Sequence, residues 1–146
     1  DLGWDGAGNA TLRDSDVIFF NNLYHRSGNI RLTGDNRTGA GDGDDEQIIV
    51  KLNSLSNDYQ KIVFIVQIYE GIKNNQHFGQ VDNAFIRAVD ASGKEMVRFD
   101  LSGKGYDQQR SLLFAELVRE INGWKFNALG QSSASDNFLE WLKEYV

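Results

Sequence analysis

Leu112-Leu113-Phe114-Ala115-Glu116-Leu117-Val118-Arg119-Glu120-Ile121-Asn122-Gly123-Trp124-Lys125-Phe126-Asn127-Ala128 separates an all-β chain from one with a long helix near its C-terminus. Its first part reads two ways, because Leu113, Leu117 and Ile121 would also stripe a helix at i, i+4 and i+8. Asn122-Gly123 resolves it. That pair is the strongest two-residue signal for a β-hairpin, and Trp124 to Ala128 alternates apolar and polar side chains at period two. Both flanks are therefore expected as antiparallel strands. Outward from this hairpin, Val17-Ile18-Phe19-Phe20, Ile48-Ile49-Val50-Lys51-Leu52 and Lys61 to Tyr69 are rich in β-branched and aromatic residues. The last of these predicts a central strand buried on both faces. Ala84 to Val89 leads through Asp90-Ala91-Ser92-Gly93 into Glu95 to Leu101, a second hairpin by its alternation. Only the tail predicts a helix, capped by Ser135 or Asp136, with Phe138, Leu139, Leu142 and Tyr145 on one face. Short strands joined by Gly, Asn, Asp and Ser turns, with one terminal helix, make the expected fold all-β: an antiparallel β-sandwich with a short C-terminal helix.

The chain has 146 residues, enough for one good core and too few for two ordinary domains, so a single domain over 1–146 is expected. A formal charge of -6 and a pI near 4.8 argue against nucleic-acid or anionic-membrane surfaces, which need clustered Lys and Arg. Cations are the expected partners. With no Cys, disulfides, thiolate metal sites and Cys nucleophiles are excluded. No apolar run approaches the roughly 18 residues that span a bilayer. Asp1-Leu2-Gly3-Trp4-Asp5 lacks the basic and apolar regions of a signal peptide, so a cytoplasmic location is expected.

Between strands ending near Thr33 and starting near Gln47 lies Gly34-Asp35-Asn36-Arg37-Thr38-Gly39-Ala40-Gly41-Asp42-Gly43-Asp44-Asp45-Glu46, with five carboxylates against one Arg. Such crowded like charges raise one another's pKa unless a cation intervenes. A hard divalent ion suits them. Ca²⁺ takes six to eight oxygens at flexible geometry, while glycines let the backbone turn tightly and present carbonyls. Only two His and no Cys disfavour softer metals, and a wide, irregular oxygen cage favours Ca²⁺ over Mg²⁺. A solvated connector is the competing reading. Asp35 to Glu46 has the span of an EF-hand loop, but Arg37 and Gly39 replace expected ligands and no helices flank it. The Gly39-Ala40-Gly41-Asp42-Gly43 run resembles a phosphate-binding turn, but its charge repels phosphate and no Lys follows.

The run from Thr33 to Gly39, with Gly41-Asp42-Gly43-Asp44-Asp45-Glu46, closely resembles the signature of the tellurium-resistance TerD family. Further segments match in order: Ser15-Asp16 through Leu23, Lys61 to Phe64, Ile68-Tyr69-Glu70, Phe78-Gly79-Gln80-Val81 with Asn83 to Arg87, and Trp124-Lys125-Phe126 with Gly130-Gln131. The resemblance covers nearly the whole chain. It implies a Ca²⁺-binding β-sandwich in a stress or toxic-metalloid response, without established catalysis. Carried over by position, it implies Asp35, Asn36, Asp42, Asp44, Asp45 and Glu46 as ligands, a carbonyl such as that of Gly39, and Glu70 as a weaker candidate. Family members usually begin with an extra strand and an acidic Asp-Leu-Asp segment, where this sequence begins at Asp1-Leu2-Gly3-Trp4. That departure implies a missing first strand, or a remnant of the family's Gly-Trp-Asp element.

His25 and His77 sit in polar, turn-like sequence and are expected at the surface, and no Gly-x-Ser-x-Gly element points to a hydrolase. Asn22 and Asn83 are polar residues of interest, and Phe78 to Asn83 reads either as the lining of a site beside the acidic loop or as a tight turn. Trp4, Trp124 and Trp141 are expected to serve packing. The expected function is a Ca²⁺-dependent binding or scaffold protein with a protein partner, not an enzyme. The alternatives are a metal-dependent phosphoester hydrolase and a small-ligand module for a cyclic nucleotide.

Overall fold

The Asn122-Gly123 signal is realised as a hairpin: strand β8 (Ser111–Glu120) turns over Ile121 and Asn122 into β9 (Gly123–Ser133). The computed structural model describes residues 3–4, 10–11, 16–19, 22–33, 46–68, 70–81, 84–102 and 104–143, with the backbone alone at 3–4, 10–11 and 104. The remaining strands are β1 (Gly3–Trp4), β2 (Ala10–Thr11), β3 (Ile30–Thr33), β4 (Gln47–Val50), β5 (Lys61–Gln67), β6 (Phe85–Val89) and β7 (Glu95–Asp100), followed by helix α1 (Leu139–Leu142). Strand pairing is antiparallel in β1–β2, β3–β4 and β6–β7. The third sheet has the order β5-β8-β9. Backbone bonds from Arg119 N to Gln60 O and from Ile68 N to Arg110 O show that β5 and β8 run antiparallel.

This order corrects one expectation. The central strand of that sheet is β8, not the Lys61–Gln67 strand. Residues 111–115 of β8 are all buried, since neighbours cover both of its faces, and Leu112 and Leu113 are 0% and 1% exposed. Two apolar runs of similar composition compete for the centre, and only strand order separates them. The expected strand at Val17–Phe20 is also replaced. Phe19 and Asn22 exchange both backbone hydrogen bonds (3.2 and 2.9 Å), and Asn22 Nδ2 donates to Val17 O at 2.8 Å. A reversal this tight uses the groups that a longer ladder would need.

The chain divides into two compact units, one of Asp1–Ile62, Val118–Lys125 and Val146, the other of Val63–Leu117 and Phe126–Tyr145. In the first, Ile30, Leu55, Tyr59 and Ile62 are buried. Arg119 ties it together, donating from Nε to Tyr59 O (2.8 Å) and from Nη2 to Leu55 O (3.2 Å) and Ser56 O (2.9 Å), with its guanidinium 4.3 Å over the Trp124 ring. In the second unit two antiparallel layers face each other. The inward residues Ile86, Ala88, Val97 and Phe99 of β6–β7 pack on a core containing Leu112, Phe114 and Ala115 of β8, joined by Phe64 and Val66 of β5 and Phe126 of β9. Edge-to-face pairs Phe99–Phe114 (5.6 Å) and Phe114–Phe126 (6.2 Å) fill the space between the layers. This is a sandwich core.

Helix α1 lies where the sequence places it but turns a different face inward. Trp141 is buried and its Nε1 donates to the buried Ser111 Oγ at 3.0 Å, while Leu139 is 52% exposed. In a helix of one turn, a single large anchor with a hydrogen-bond partner decides the orientation. Ser135 Oγ accepts the Asn137 amide (3.1 Å) just ahead of the helix, while the other expected cap is used elsewhere. Asp136 Oδ2 accepts from Ile72 N (3.1 Å), and Asn137 Oδ1 takes the Leu139 amide (3.1 Å).

Candidate metal site

The register of β3 and β4 pairs Ile30 with Val50, Arg31 with Ile49, Leu32 with Ile48 and Thr33 with Gln47. The acidic glycine segment, residues 34–46, is therefore the connection of one hairpin, and its two ends emerge from neighbouring strands. The β-branched Ile48, Ile49 and Val50 hold this pair as strand, and the side chain of Thr33 donates to Gln47 O at 3.3 Å across its last rung. Asp35, Asn36, Gly39, Asp42, Asp44 and Asp45 lie outside the described residues. Glu46 is exposed and directly precedes β4.

Glu70 behaves differently. It follows β5 in the second unit, whereas Glu46 belongs to the first. Its backbone is left-handed at φ 49°, and its carboxylate lies 3.6 Å from Lys73 Nζ. Among the described residues, no group of three or more His, Asp or Glu side chains gathers to hold a metal.

Both histidines contradict the surface expectation, at 2% and 5% exposure for His25 and His77. His77 Nδ1 accepts from Gln108 N at 3.1 Å, and its Nε2 lies 3.2 Å from the Gln108 side-chain amide. Phe78 is a core residue that opens a short 3-10 turn, Phe78–Gln80, and Gly79, Gln80 and Val81 after it are exposed, as the tight-turn reading expects. Asn83 lies outside the described residues. Trp124 and Trp141 serve packing as expected.

The sequence reading missed a polar cluster in the first unit. His25 Nε2 lies 3.0 Å from Asp16 Oδ1, His25 Nδ1 lies 2.7 Å from Ser27 Oγ, and the Tyr59 ring meets His25 edge-on at 5.1 Å. Arg26 donates from Nε and Nη2 to the Tyr59 hydroxyl (3.2 and 2.9 Å) and lies 3.9 Å from Asp16 Oδ1. The bond to Tyr59, with a smaller pull from Asp16, raises the pKa of the Arg26 guanidinium above its ordinary value. The available signal was Asp16 beside the apolar run Val17-Ile18-Phe19-Phe20, but the polar flanks of His25 argue for the surface until tertiary partners are known.

A family model described as TerD domain matches residues 5–145. Tellurium resistance protein TerX of Serratia marcescens is 64% identical over 147 residues, which take in 100% of this chain and 69% of that protein. Tellurium resistance protein TerD of the same organism is 45% identical over 88% of this chain and 67% of its own length. Stress response protein SCP2 of Bacillus subtilis (strain 168) is 40% identical over 89% of this chain and 65% of its own length. The chain thus spans about two thirds of the length of these relatives. The crystal structure of a protein of unknown function, SAV2460, superposes with a TM-score of 0.75 at 25% identity, covering 95% of this chain and 77% of that one. The fold is thus shared with a solved structure, and the chain belongs to the TerD domain family of tellurium-resistance and stress-response proteins.

Proposed function

We propose that this chain is a Ca²⁺-binding module of a cytoplasmic stress-response protein, in which the ion orders the 34–46 connection and shapes a surface for a protein partner. One observation carries the reading. The β3–β4 register brings Thr33 beside Gln47, so all five carboxylates of the segment hang from one strand pair whose ends are already fixed. Closing the loop is then no further entropic burden on the ion. The donor set is hard oxygen throughout, and the buried His25 and His77 are committed to Asp16, Ser27 and Gln108, which supports an alkaline-earth ion over a softer one. Asp35, Asp42, Asp44, Asp45 and Glu46 would hold it, with Asn36 and the Gly39 carbonyl completing the shell. Glu70, beside Lys73 in the second unit, stays the weaker candidate that the family resemblance implies.

Calorimetric titration of chelator-treated protein with Ca²⁺ and then Mg²⁺ tests this. Saturable heat with Ca²⁺ and a much weaker response to Mg²⁺ are expected, and a flat Ca²⁺ titration refutes the reading.

A further inference from the structure

The cluster around His25 has the parts of an activated nucleophile. The Ser27 amide points at His25 Nδ1 (3.2 Å), which makes Nδ1 the unprotonated nitrogen and puts the ring proton on Nε2, facing Asp16 Oδ1 at 3.0 Å. Ser27 Oγ, 2.7 Å from Nδ1, is then the donor in that contact, its hydrogen directed at a base. The Asn29 amide donates to the same Oγ at 3.2 Å and favours negative charge there. Nucleophile, base and an orienting carboxylate at these separations are the constellation that raises serine reactivity.

Burial divides the roles. Asp16 and His25 are each 2% exposed, with the Tyr59 ring roughly perpendicular to the imidazole and the Arg26 guanidinium 3.9 Å from Asp16. Ser27 is exposed, and among the described residues a Cβ built on the neighbouring Gly28 would meet nothing within 4 Å, which leaves room for a reagent on that side of the turn. We propose that Ser27 is a reactive serine, with His25 as its base and Asp16 as the positioning residue, and that it accepts an acyl group from small activated esters. In that step Ser27 Oγ forms the bond to the acyl carbon and the bond to the leaving alcohol breaks with its electron pair. The hydroxyl proton passes to His25 Nδ1 and from there to the departing alkoxide. Asp16 stabilises the intervening imidazolium through Nε2.

A fluorophosphonate probe traps the same nucleophile: Oγ bonds to phosphorus, fluoride leaves, and the proton goes through His25 to solvent. The full chain is expected to take one label, mapped by mass spectrometry to the peptide holding Ser27. Ser27→Ala, a change at an exposed position whose fold is checked by circular dichroism, is expected to abolish labelling. His25→Gln is expected to slow it by about a hundredfold, with circular dichroism reporting whether that variant folds. Absence of label at every pH, or equal labelling of Ser27→Ala, overturns the proposal and leaves the hydroxyl as a turn cap. Wild-type labelling in a folded His25→Gln protein overturns the assignment of the base.

Discussion

Gly130 stands inside β9 with φ +66°, and a Cβ there would come within 2.9 Å of the Phe99 ring. The ring is held by its edge-to-face partner Phe114, so it has little room to retreat. Gly130→Ala therefore meets both a left-handed backbone and an overlap, and should lose about 2 kcal/mol or more. Urea unfolding with an unchanged slope checks this, and Phe99→Leu should recover part of the loss because the two positions share one space. Asp90 makes a pH prediction of the opposite kind. In the β6–β7 turn its Oδ1 accepts from the Ser92 hydroxyl (2.6 Å), the Ser92 amide (2.9 Å) and the Lys94 amide (2.9 Å), and bonding to Ser92 and Lys94 lowers its pKa. A carboxylate lowered on folding contributes stability that is complete above the ordinary value near 3.9 and fades as pH falls through the folded value. Asp90→Asn should thus be less stable than wild type at neutral pH, and the gap between the two unfolding midpoints should close in acid, below about pH 4. A gap that stays constant with pH would assign the turn's stability to shape alone.

Helix α1 shows what period and composition can and cannot deliver at the scale of an element. Its existence was legible in the apolar spacing of the tail, but its inward face was not, because a single turn gives no repeated stripe and Trp141 is fixed by Ser111, a residue of β8. Trp141→Ala should cost about 3–5 kcal/mol, while Leu139→Ala should stay within about 0.5 kcal/mol, as read from paired thermal melts. The strands follow the same logic. Both long hairpins were readable from Asn122-Gly123 and Asp90-Ala91-Ser92-Gly93, since turn chemistry is local. Strand order was not, because the central place of β8 depends on pairings between residues far apart in the sequence, such as Gln60 with Arg119. His25 belongs to the same class: its burial depends on Asp16 and Tyr59, which its own neighbours do not announce.

For the molecule as a whole, metal and stability should be linked. The acidic connection was legible because like charge and glycine are read residue by residue. If the folded loop alone binds Ca²⁺, a hundredfold excess over Kd should add roughly 2.7 kcal/mol and raise the melting midpoint by several degrees. Asp44→Asn with Asp45→Asn should remove most of that gain and slightly stabilise the metal-free form by relieving repulsion. Melts with chelator and with millimolar Ca²⁺ measure both, and an equal shift in wild type and the double variant would place the ion elsewhere. The interleaving of the two units bears on a different event, the birth of the chain. The first unit contains residues 1–62 but also 118–125, including the Arg119 that grips the carbonyls of Leu55, Ser56 and Tyr59. On the ribosome, at about 5–20 residues per second, several seconds separate the synthesis of those carbonyls from that of the arginine. Until then the first unit is unfinished, so the closing strand, made late, sets when that unit can become native.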